Sequence, residues 1–107
     1  MTRDARRAQN EVWFREVNER LEARALERAA ADAFEIVCEC ASEECTERIE
    51  LTAAEYERVR AEPTRFILVL GHDDPSLERI VLENGTYAVV DKIGAAAFLA
   101  ELEDPRS

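Results

Sequence analysis

Three cysteines, Cys38, Cys40 and Cys45, stand within eight consecutive positions, and the chain has a single histidine, His72. An odd number of closely spaced cysteines is a poor match to a secreted disulfide framework and a better one to reduced thiols or metal thiolates. Zinc favours thiolate and imidazole ligands in a closed tetrahedron when its role is structural. Gathering these four side chains uses every soft ligand in the sequence and leaves none over. The expectation is one structural zinc ion held by Cys38, Cys40, Cys45 and His72.

Two other readings of the same residues stay open at this point. The thiols can be small buried hydrophobes near a strand end, or Cys38 and Cys40 can form a redox pair with Cys45 as the resolving thiol. Glu35, Glu39, Glu43, Glu44, Glu47 and Glu50 surround the cysteines in sequence. Their charge would raise thiol pKa values and works against the redox pair, whereas a bound cation removes the thiol protons outright. A filled shell of four ligands leaves no open position for catalysis. Water could enter only without His72, with Glu39 or Asp73 as a general base. The chain has no Gly-rich phosphate loop and no G-x-S-x-G elbow, so no catalytic residues are assigned. The competing class is a zinc-dependent enzyme or a thiol-based redox or metal sensor built on the same cluster.

At 107 residues, with 47% hydrophobic and 36% charged side chains and only 3 Gly and 3 Pro, the chain has material for one core and no signature of disorder. A single domain over 1–107 is expected. No run approaches the ~20 apolar residues that cross a bilayer, and the first residues lead into a charged helix, so a cytoplasmic protein is expected. The net charge of −10 is uneven: residues 1–31 hold seven Arg against six acidic groups, and residues 32–107 hold seven basic against eighteen acidic groups. Such a body repels phosphate backbones and fits a basic protein partner better than a nucleic acid. Thirteen of the fourteen basic residues are Arg, which together with abundant Ala suggests a GC-rich genome.

Hydrophobic periodicity and capping signals place the elements. Residues 4–30 contain no Gly or Pro and are rich in Ala, Glu, Arg and Leu, which predicts one long helix. Its apolar stripe, Trp13, Phe14, Val17, Leu21 and Ala25, is expected to pack on the body. Val12 and Leu26 lie off that stripe and are available for a homodimer contact. Residues 34–38 and 47–51 read as the two strands of a hairpin with the cysteines at its tip. Thr52 and Glu55 form a capping box, with Leu51 and Tyr56 as its staple, so a helix starts at Ala53; Pro63 stops it. Its buried side is Tyr56 and Val59. The run 66–70 reads as a central strand covered on both faces, ending at Gly71 and His72. A turn at 73–76 leads to a strand or helix–strand junction over 77–83. Asn84-Gly85 predicts a type I′ hairpin turn, its partner strand covers 86–91, and a last helix covers 95–103. The body is thus 34–103, and the fold class is α+β: a long N-terminal helix, a small mostly antiparallel sheet, two shorter helices and a zinc-bearing hairpin tip.

The residues N-E-V-W-F-R-E-V-N-E-R over 10–20, F-E-I-V-C-E-C over 34–40, Cys45, E-R-I-E-L-T over 47–52, E-Y-E over 55–57, P-T-R-F over 63–66 and Gly71-His72 resemble a group of small uncharacterised bacterial proteins. That group comes from GC-rich genomes and shares an F-E-x-V-C-E-C-x4-C motif with a later G-H. The resemblance spans residues 10–92 and implies that the helix, the cysteine loop and the G-H element form one unit. Together these readings describe a zinc-stabilised protein-interaction or regulatory module with no catalysis of its own.

Overall fold

The capping box at Thr52 forms in full. Thr52 Oγ1 accepts from Glu55 N at 3.1 Å, and the Glu55 carboxylate accepts from Thr52 N at 2.9 Å. Two orphan amides of the helix start are thereby satisfied. A computed structural model of the protein describes residues 3–27, 33–40, 42 and 44–106. Helix α1 runs Arg3–Glu27 and strand β1 Phe34–Val37; β2 follows at Arg48–Leu51 and α2 at Ala53–Arg60. Then come β3 (Arg65–Val69), β4 (Glu78–Glu83), β5 (Tyr87–Lys92) and α3 (Gly94–Leu102). The expected end of the first helix at 28–30 lies outside the described residues.

Both sheets are antiparallel. β1 and β2 form a two-stranded sheet with Ile36 opposite Ile49, and the other sheet has the order β3-β5-β4. The fold is therefore α+β, as its sequence pattern implies. β5, with four consecutive buried residues from Tyr87 to Val90, is the central strand of that sheet. The run 66–70 had been the expected centre, and β3 instead lies at the side of its sheet. Its apolar core, Phe66, Ile67 and Leu68, is nonetheless fully buried, because the cysteine segment closes its outer edge: Glu39 N donates to Ile67 O at 2.9 Å, and the Glu39 carboxylate accepts from Ile67 N at 2.9 Å.

The β4–β5 hairpin forms with a different turn from the one expected. A type I′ turn needs positive φ at both central residues, and Gly85 does not have it; only Gly71 and Gly94 are left-handed among the described glycines. Asn84 carries the turn through its side chain, whose Oδ1 accepts from Thr86 N and Tyr87 N, each at 2.8 Å. The asparagine supplies locally what the glycine would have supplied conformationally.

The largest departure concerns α1. Trp13 is 59% exposed, and Phe14, Val17 and Leu21 are only half-buried. The face against the body is instead Glu11, Arg15, Asn18 and Glu22 with Val12 and Ala25. Spacings of four, three and four put the polar residues on one stripe, and the body holds a partner for each. Glu11 and Glu78 both pair with Lys92, with all three buried. Arg15 donates to Pro63 O at 2.6 Å and to Arg65 O, and lies 3.6 Å from the centre of the Phe66 ring. Buried charge is costly unless paired; here the pairing determines which face of the helix turns inward.

Candidate metal centre

The antiparallel pairing of β1 with β2 makes the chain between them a loop that must turn back within about ten residues, and that loop carries the cysteines. Cys38 leaves β1 with its amide bonded to Glu47 O at 3.1 Å, and Cys45 N donates to Ser42 O at 3.3 Å. His72 arrives from the end of β3. Gly71, at φ 85°, turns the chain there, and His72 N donates to Val69 O at 3.0 Å. Left-handed backbone of this kind favours glycine, so the residue before the histidine is chosen by the turn that presents it.

These elements bring together all four side chains expected from the sequence. One ligand atom from each of Cys38, Cys40, Cys45 and His72 lies within 4.8 Å of every other. His72 Nδ1 stands 3.7 Å from Cys38 Sγ and 3.6 Å from Cys45 Sγ. Thiolate and imidazole ligands of one tetrahedral zinc stand roughly 3.5 to 3.8 Å apart, and these two sulfur–nitrogen distances fall in that range. Cys38 and Cys40 are buried, and Cys45 and His72 are half-buried. A cavity of about 400 Å³ opens on the outer side, lined by Cys40, Ser42, Glu44, Cys45, Thr46 and Glu47 together with His72.

The thiols perturb one another more than the glutamates do. Cys40 is drawn down to about 5, first by the hydrogen bond from Cys38, with further help from Ser42 N, His72 and Cys45. Cys38 is pushed well up, because it donates to Cys40 and is buried. Burial raises Cys45. Three thiols sharing one small space cannot all ionise without a cation among them, and that is the state in which a soft divalent metal binds. Cys38 Sγ also accepts from Val69 N at 3.2 Å, a contact suited to a thiolate ligand.

Two residues outside the expected ligand set hold the site in place. Glu39, between two ligands, is 1% exposed. Its carboxylate faces the interior and accepts from Asn18 Nδ2 at 2.8 Å and from Ile67 N. It is therefore a structural anchor and not the solvent-side base considered for an open site. Burial raises its pKa, opposed mainly by Arg15. Asn18 in turn brackets Val37, accepting from its N at 2.7 Å and donating to its O at 2.8 Å. The available signal was the C-E-C alternation: neighbouring side chains of an extended segment leave on opposite sides, so two ligands on one side send Glu39 to the other.

The arrangement can hold a metal ion by four side chains. Compared with protein-family models, with curated proteins and with solved structures, the chain gives no match to any, so the site rests on its own geometry.

Proposed function

We infer that the protein is a small zinc-stabilised interaction or regulatory module without catalysis of its own. The observation that carries this reading is the convergence of three thiols and one imidazole within 4.8 Å, a donor set and spacing suited to zinc over harder cations. Zinc would tie the β1–β2 loop to the end of β3, adding stability to a domain whose core is small. No helix of the described residues is long and apolar enough to cross a membrane; a cytoplasmic, bacterial setting, where thiols stay reduced, suits the ligand set. The acidic body suits a basic protein partner and not a nucleic acid.

A second reading, a thiol or metal sensor, draws support from the cavity lined by Cys40, Cys45 and His72, which gives solvent a route to three of the four side chains. The two readings part on metal exchange. Native mass spectrometry of protein purified without added metal is expected to give one zinc per chain and three protected thiols; metal-free protein with three reactive thiols would overturn the metal reading. Fast exchange of the bound ion with a competing chelator, with the fold retained, would favour the sensor. Cys40→Ala is expected to lose metal and cooperative folding together, read by metal analysis and thermal melting on one sample; a metal-free variant that melts like the parent would contradict a structural role.

A further inference from the structure

We propose that the outward face of α1 is a homodimer interface on which a second copy of the chain packs antiparallel. A helix normally turns its apolar stripe inward, and this one turns its polar stripe inward, with Glu11, Arg15 and Asn18 all 0% exposed. Trp13, Val17 and Leu21 are left on the outer side with Arg20 and Arg24, and Glu16 lies along the edge. A groove of about 330 Å³ at the junction with α3, lined by Gln9, Asn10, Val12, Trp13, Glu16 and Glu103, widens this face. A tryptophan 59% exposed, flanked by the half-buried Val17 and Leu21, is the usual kind of anchor of a protein interface.

Charge selects the occupant. The body outside α1 holds eighteen acidic against seven basic groups, whereas residues 1–31 are nearly balanced, with seven Arg and six acidic groups. Two copies meeting through their acidic bodies would repel each other, whereas two meeting through α1 would not. Two α1 helices packed antiparallel about a two-fold axis set like flanks against each other in reversed order. Glu16 then faces Arg20 of the second copy, and Arg20 faces its Glu16. The same register sets Val17 against Leu21 and Trp13 against Arg24 of the second copy, a cation–π pairing. Every outward charge of this stretch meets the opposite charge or an aromatic ring, and a parallel pair has no such match.

This inference rests on the reading of the protein as an interaction module and is independent of the metal. The test is sedimentation equilibrium of the full chain between ~1 and ~100 µM, the range in which mass action resolves a micromolar dimer, with metal content measured on the same samples. Trp13 is the sole tryptophan, so its fluorescence should shift to the blue as dimer forms. Glu16→Arg and Arg20→Glu, each creating two like-charge contacts by symmetry, should weaken association at least about tenfold, and the double variant should return to within about threefold of the parent. Trp13→Ala should abolish the dimer and leave metal content unchanged. A monomer throughout, or a dimer indifferent to these substitutions, would overturn the proposal; a dimer in protein that purifies without metal would leave it standing while removing the metal reading.

Discussion

Asn18 shows how much one side chain can carry. Its carboxamide satisfies both backbone groups of Val37 and one oxygen of Glu39, so its loss leaves one buried and two part-buried polar groups without this partner. Asn18→Ala is expected to cost roughly 3 kcal/mol, since each orphaned group costs about 1 to 3; urea unfolding of metal-loaded protein measures it. Glu11 is a second residue whose burial has a measurable consequence. With one lysine between two buried carboxylates, desolvation pushes Glu11 up from 4.5 to about 8, against the attraction of Lys92. A carboxyl raised in this way binds its proton more tightly when folded, so its stabilising contribution is complete below 4.5 and is lost as pH rises towards about 8. The stability of the parent relative to Glu11→Gln should therefore fall across that interval, and a flat difference would contradict the raised value. Neither residue was legible as buried in the sequence: Glu, Arg and Asn are read as solvent-facing unless their partners are known, and those partners lie in β1, β3 and β5.

At the scale of elements, local chemistry was legible and long-range choice was not. The capping box at Thr52, the stop before Pro63 and the hairpin after Glu83 depend on residues close in sequence, and each element formed where expected. Thr52→Ala should destabilise the protein by about 1 kcal/mol, the usual cost of an N-cap, without altering metal content; thermal melts with metal analysis would check both. The orientation of α1 and the order of the strands depend on contacts made far along the chain. Periodicity located an apolar stripe on α1 correctly, but the hydrogen bonds and ion pairs of the opposite stripe won the interior. The glycine at position 85 misled for a similar reason: a dipeptide preference for one turn type was displaced by the Asn84 side chain.

In the whole molecule the cysteine segment is the joint between the two sheets, since it leaves β1, lies along β3 and meets His72 beyond it. Metal removal should act on this joint first. Hydrogen exchange after chelation is expected to rise in β1, β2 and residues 65–72 before it rises in the β4–β5 hairpin, whose pairing does not involve the loop. Uniform loss of protection would show instead that the domain unfolds as one unit. The clustering of the four soft side chains was legible because so few exist in the chain; the shell that positions them was not, because its members look like ordinary surface residues.

The brackets that Asn18 places on Val37 and Glu39 places on Ile67 have a further consequence. Each occupies the amide and carbonyl that a strand edge would offer to another chain, so β1 and β3 are closed to stray pairing by single residues where many proteins use an additional strand or a covering loop. Both brackets meet at Glu39, flanked by two ligands. Loosening this loop is therefore expected to uncover both edges, so chelation should raise aggregation of the protein, read by light scattering, if the cluster holds a metal.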